Sequence, residues 1–306
     1  MIVNIIGACQ ALGCSKDGVQ FGPDSLRENG LIRKIGSHCE ICDSGNIYND
    51  NTIQCKPNNQ LKNIEAITDF NVRLSKKVYD SISKGYFPLV IGGDHSLGIG
   101  SVCGAAQALG KDNTCIIWLD AHTDINTQDS STTGNIHGMT LASALGLGCE
   151  ELSTICGKGA KIKAQNLVYV GSRDIEAGEA DIIAKENISV FHMNDINKYG
   201  VDVIADKLRG ALGQIDAKYI YLSVDIDVLD PNIAPGTGVP VPNGLNVDQL
   251  YKLVESIVST GKVRGFELVE VNPLIDRDDN KTVLLGIDIL EHLVINIQKY
   301  KSHSNK

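Results

Sequence analysis

Residues 118–127, WLDAHTDINT, place Asp120, His122 and Asp124 at every second position. The apolar run before them reads as a strand. Alternate side chains of a strand share one face, so carboxylate, imidazole and carboxylate can converge on one point. Three further apolar runs end in similar chemistry: VIGG leads into Asp94-His95-Ser96, YLSV into Asp225-Ile226-Asp227, and GFELV into Glu270. Each residue has an ordinary explanation when taken alone. A histidine can be hydrogen bonded within a core, and an aspartate can cap a helix. Gathered at one edge, His95, Asp120, His122, Asp124, Asp225 and Asp227 would repel one another and be costly to desolvate unpaired.

Bound cations remove both costs. Six ligands are too many for one tetrahedral ion but suit two ions that share bridging carboxylates. Four carboxylates to two imidazoles is an oxygen-rich set, which favours manganese or a similarly hard divalent ion over a thiolate-type zinc site. Two such ions about 3.5–4 Å apart can hold a water and bring its pKa toward neutrality, so metal-assisted hydrolysis is the first reaction class to consider. No Arg or Lys lies in these motifs to receive a phosphate, whereas Glu176, Glu179 and Glu270 join the four aspartates. Such a site expects a cationic substrate.

Alternating short apolar runs and longer amphipathic segments must position these groups. Strands are expected at 2–8, 87–93, 115–121, 166–172, 188–192, 219–227 and 263–271. Helices are expected at about 59–83, 96–109, 138–147, 176–186, 201–213, 246–260 and 281–298. Strand–helix alternation with near-continuous apolar strands predicts a parallel sheet covered on both faces. Sites in such sheets lie beyond the carboxyl ends of the strands, which is where the acids and histidines fall.

The 306 residues, 42% hydrophobic and 21% charged, have ordinary globular composition. No linker, repeat or low-complexity run divides them, so one domain over 1–306 is expected, with a short polar tail from about 300. The net charge of −9, with Lys and Arg scattered, offers no patch for nucleic acid. No apolar run approaches the roughly 20 residues that span a bilayer, and no secretory leader is evident, so a cytoplasmic protein is expected. The nine cysteines follow no disulfide framework and read as reduced core residues. Cys39 and Cys42 form one CxxC beside His38, without a fourth ligand for zinc.

The segments GGDHSLGIGS, DAHTDINT with GNIHGM, SVDIDVLDP and EVNP resemble the four signature segments of the ureohydrolases, in the same order. The resemblance runs from GVQFGP near the N-terminus through the helix after EVNP. DINT followed by GNIHGM is similar in particular to the arginases, which hydrolyse L-arginine to L-ornithine and urea. The resemblance implies a three-layer α/β/α domain with a central parallel sheet, in a homotrimer or hexamer. It also implies two Mn2+ per subunit, one held by His95, Asp120, Asp124 and Asp225, the other by His122, Asp120, Asp225 and Asp227. A metal-bridging hydroxide would attack the guanidinium carbon, and Asp124 would pass a proton to the departing amine. His137 would shuttle protons and Glu270 would pair with the guanidinium.

At the far end of the substrate, Asn126, Thr133 and Asn135 would receive the α-carboxylate, and Glu176 and Glu179 the α-amine. Three positions depart from the arginase pattern: Thr133 stands where Ser is usual, Glu176 where Asp is usual, and Val239 where Thr is common. Two alternatives stand beside this reading. One is another ureohydrolase, agmatinase or guanidinobutyrase, whose substrate has no α-carboxylate. The other is a non-catalytic regulator that binds metal or arginine.

Overall fold

The computed structural model describes residues 1–56, 58, 60–277 and 279–304. Its strands are β1 (Ile2–Cys9), β2 (Glu40–Tyr48), β3 (Phe87–Gly92), β4 (Thr114–Leu119), β5 (Leu167–Val170), β6 (Ser189–Phe191), β7 (Tyr219–Asp225) and β8 (Val263–Val269). The first helices are α1 (Gly22–Glu28), α2 (Leu31–Gly36), α3 (Ile64–Ser83), α4 (Gly98–Leu109), α5 (Thr140–Ala144) and α6 (Glu150–Ser153). They are followed by α7 (Ala177–Glu186), α8 (Met193–Tyr199), α9 (Val201–Gln214), α10 (Val247–Val258) and α11 (Lys281–Ser304). The strands form one sheet in the order β2-β1-β3-β8-β7-β4-β5-β6, and every pairing is parallel.

The sequence explains the layers. Every residue of β3 and β4 is buried, as strands covered on both faces require. Alternate residues serve opposite cores: Cys115, Ile117 and Leu119 join one apolar cluster, Ile116 and Trp118 the other. The first cluster takes Leu26 of α1, Leu208 of α9, Leu253 of α10 and Leu290 of α11. The second takes Phe70 and Leu74 of α3, Val102 of α4 and Leu141 of α5. The result is the expected three-layer α/β/α arrangement with a parallel sheet.

All seven expected strands are present, and β2 is an eighth. Its sequence, EICDSGNIY, is mostly polar because it lies at an edge and buries only Ile47. Short helices α1, α2, α6 and α8 also escaped the periodicity. Helix α11 runs on to Ser304, into the stretch expected as a polar tail, and residues 305 and 306 lie outside the described chain. Of the nine cysteines, Cys9, Cys103 and Cys115 are buried and the other six are partly exposed, so most are not core residues. The four strands that end in candidate site residues, β3, β8, β7 and β4, are consecutive neighbours at the centre of the sheet.

Candidate metal centre and substrate cleft

Register sets the height of each group. Leu119 pairs with Val224 and Val224 with Leu268, so Asp120 and Asp225 leave the sheet side by side, one strand from Glu270. After β3 the chain turns through Gly93, where a Cβ would come within 1.8 Å of the Gln10 carbonyl oxygen. Asp94 then caps the next turn, accepting from Ser96 N at 2.9 Å, and tethers the 10–14 loop by accepting from Gly13 N at 2.9 Å. This delivers the buried His95 imidazole to the strand ends.

Capping and convergence are performed by the same carboxylates. Asp120 Oδ1 accepts from His122 N at 2.7 Å, Asp225 Oδ1 from Asp227 N at 2.8 Å, and Asp227 Oδ1 from Ala121 N at 3.2 Å. Their second oxygens point inward. His95 Nδ1 lies 3.0 Å from Asp120 Oδ2, 3.1 Å from Asp225 Oδ2 and 3.2 Å from Asp124 Oδ2. His122 Nδ1 lies 3.1 Å from Asp227 Oδ2 and 3.4 Å from Asp120 Oδ1. His95, Asp120 and Asp124 form one group with metal-ligand spacing, and Asp120, His122 and Asp227 a second, with Asp120 common to both.

These residues fit divalent ions. His95 Nδ1 and Asp120 Oδ2 are buried and have no hydrogen-bond partner, despite the close approaches. Neighbouring ligands on an octahedral ion with bonds near 2.1 Å stand about 3.0 Å apart, so the spacing is that of a coordination shell. The back of the His95 ring fixes its tautomer. Nε2 is 2.8 Å from Ser223 Oγ and 4.0 Å from Glu267 Oε1, and the ring stacks on Trp118 at 3.9 Å. Glu267 Oε2 accepts the hydroxyls of Ser101 and Tyr221. With a proton held toward Ser223 and Glu267, His95 would present its Nδ1 lone pair to an ion bound among the three carboxylate oxygens.

Without added positive charge, such a cluster turns to protons. Burial alone would hold His95 down, but the close carboxylates of Asp120, Asp225 and Asp124 push it well above the ordinary histidine range. Burial and neighbouring acids push Asp124 and Asp225 up as well. The backbone is also strained here. Asp124 has φ of 48° and Glu270 has φ of 62°, in the left-handed region that non-glycine residues rarely enter.

A cleft of about 280 Å³ opens over the cluster. Glu270 Oε1 accepts from His95 N at 2.9 Å and faces His137 Nδ1 at 3.4 Å. Burial would lower His137, yet the Glu270 hydrogen bond and the charges of Glu270, Asp124 and Asp94 push it up to about 9. Around the cleft stand buried Asn126 and Asn135, with Thr133, Glu176 and Val239 more exposed. Asn126 Nδ2 donates to Glu176 Oε2 at 3.2 Å, joining two groups expected at opposite charges of one substrate. Both oxygens of Glu179 already accept backbone N–H groups, Oε1 from Ile125 at 3.1 Å and Oε2 from Glu176 at 3.0 Å.

Several residues around the site escaped the sequence reading. Glu267 had a signal, an acid inside an otherwise apolar strand, and Ser223 lay two positions before Asp225 within a quoted motif. Lys62, whose Nζ donates to Asn135 Oδ1 at 3.0 Å, gave none. The CxxC at Cys39 and Cys42 is not a metal site among the described residues: Cys39 Sγ donates to Ile35 O at 3.5 Å, and Cys42 lies within β2.

Comparison with known proteins bears on what this cleft handles. The model of the Arginase family matches residues 2–295. The chain is 36% identical over 293 residues to an arginase of Bacillus subtilis (strain 168), covering 95% of this chain and 97% of that protein. Its fold is similar to the native arginase of Bacillus caldovelox, with a TM-score of 0.90 at 34% identity, covering 95% of this chain and 97% of that one. It is also similar to Entamoeba histolytica arginase in complex with L-ornithine, with a TM-score of 0.88 at 29% identity, covering 95% and 98%.

Proposed function

The chain belongs to the arginase family, and on that premise we propose that it hydrolyses L-arginine to L-ornithine and urea with two manganese ions. The observation that carries this reading is the buried, unpartnered His95 Nδ1, 3.0–3.2 Å from three carboxylate oxygens, two of whose residues line an acidic cleft. One ion would be held by His95, Asp120, Asp124 and Asp225, the other by His122, Asp120, Asp225 and Asp227. When bound, such a pair supplies a water activated for attack near neutral pH.

The chain's own residues do the rest. A guanidinium is a planar cation with paired donors, and a carboxylate orients it through charge-assisted hydrogen bonds. Glu270 is pinned through Oε1 by His95 N, which leaves Oε2 to receive the guanidinium. As water adds to the guanidinium carbon, the bond from that carbon to the departing nitrogen breaks. Asp124 carries a proton to that nitrogen, so ornithine leaves as a neutral amine rather than an anion. His137, partly exposed beside Glu270, exchanges protons with solvent. Asn126, Thr133 and Asn135 receive the α-carboxylate, and Glu176, positioned by Glu179, faces the α-amine.

Family membership also supports a homotrimer or hexamer working in the cytoplasm; light scattering on the eluted protein measures the subunit count. The decisive experiment loads the chain with manganese and measures urea release from L-arginine and agmatine side by side. Strong preference for arginine is expected. Preference for agmatine would keep the hydrolytic chemistry and overturn the substrate.

A further inference from the structure

The mouth of the cleft poses a charge problem that the proposed contacts leave unsolved. Asp and Glu dominate the lining, and no Lys or Arg is among its described residues. Two divalent ions would neutralise the aspartates at the floor, but Asp174 and Glu176, both exposed, add further negative charge to the same lining. The three groups expected to receive that carboxylate are neutral. Asn126 is further committed, with Nδ2 donating to Glu176 and Oδ1 accepting from Ser130 Oγ at 2.7 Å. Bringing an anion into this field on neutral donors alone is unfavourable.

We infer that Lys62 is the specificity-determining residue that lets this cleft accept a guanidino substrate bearing a carboxylate, an inference that rests on the arginine reading above. Lys62 Nζ donates to Asn135 Oδ1 at 3.0 Å. The contact acts in two ways. It occupies the amide oxygen, so that Nδ2 of Asn135 is turned away from the ammonium and free to donate to a carboxylate. It also places a positive charge one amide away from that carboxylate, with two ammonium protons still to give.

Lys62 is held in place rather than free to drift. Its backbone N–H donates to Gly134 O at 3.1 Å, and Asn63 Nδ2 donates to Leu12 O at 2.9 Å. Leu61 and Ile64 on either side are buried in the apolar cluster that also holds Ile136. The segment before α3 is thus fastened to the loop that carries Asn135. The nearby Arg173 cannot substitute, because its guanidinium is spent on carbonyl oxygens of Asp227, Leu229 and Val241.

The test is K62M, which keeps the aliphatic stem and removes the charge, assayed as the manganese-loaded full chain against L-arginine and agmatine. An exposed charge of this kind is worth about a ten-fold rise in KM for arginine. The expected result is that rise with kcat near wild type, an agmatine KM that stays level or falls, and recovery of most arginine affinity in K62R. An unchanged arginine KM in K62M, with the wild type turning arginine over, overturns the role of Lys62 alone. Equal losses on arginine and agmatine assign it a structural role and overturn the inference as well. A wild type that ignores arginine overturns the substrate reading and this inference together.

Discussion

At the scale of single residues, the metal centre depends on groups that never reach the cleft. Glu267 sits behind His95 with Nε2 at 4.0 Å, and its other oxygen is held by Ser101 and Tyr221. Its charge favours the proton on Nε2 and so keeps Nδ1 available as a ligand. Glu267→Gln is expected to weaken manganese binding about 10- to 100-fold, read by equilibrium dialysis, while kcat at saturating metal changes far less. Unchanged metal affinity with a folded chain would remove Glu267 from that role. Five of the six candidate ligands were legible in the sequence because DxHxD and DxD at strand ends have no common structural use, and His95 was legible only as a histidine at the end of another such strand. Glu267 was not, since an isolated acid in a strand gives no hint of which histidine it faces. Lys62 was further from reach: Asn135 lies 73 residues away, and no periodicity joins a loop lysine to a loop amide.

At the scale of elements, the strands were readable because central parallel strands must be apolar on both faces, and the edge strand β2 was not because it need not be. Loops were the least readable, and α7 shows why. Its first turn begins at Glu176, and Glu179 bonds back to Glu176 N at 3.0 Å as a capping box while reaching across to Ile125 N at 3.1 Å. By resemblance, both Glu176 and Glu179 would receive the α-amine. In the fold, one glutamate is clamped between a helix start and the loop that carries Asp124 and Asn126. Asp124 is held there at a strained φ of 48°, so loosening the clamp releases that loop toward an easier backbone conformation. Glu179→Ala is therefore expected to cost about 1–2 kcal/mol of stability, the usual scale for a lost cap, and to raise KM for arginine as well. Urea melts and steady-state kinetics on one preparation check both. A stability loss without any change in KM would mean that the clamp serves the helix alone.

At the scale of the whole molecule, the site is a concentration of negative charge that the fold must tolerate, and pH exposes how. His95 and His122 are pushed above the ordinary histidine range, against the burial that would lower them, by the surrounding aspartates. His137 is pushed up to about 9 by Glu270 and its neighbours, again against burial. Asp124, Asp225 and Asp227 are raised by burial and by one another. Asp120 is lowered by its histidine partners and stays ionised in both folded and unfolded chains above pH 6, so it adds no slope there. Every other group named binds protons more tightly when folded. Stability falls with rising pH wherever the folded state holds more protons, so the metal-free protein should lose stability from about pH 6.5 through 9 as these protons leave. Divalent ions supply the same positive charge without titrating, and they bind better once the protons are gone. Manganese at a hundred times its Kd should add about 2.7 kcal/mol, or roughly 4 °C in Tm for a chain of 306 residues, and should flatten the decline. Calorimetry from pH 6.5 to 9, with and without manganese, measures both slopes. A metal-free Tm that rises with pH would mean that the carboxylates do not share their charge through the histidines, and would count against the cluster as a metal centre.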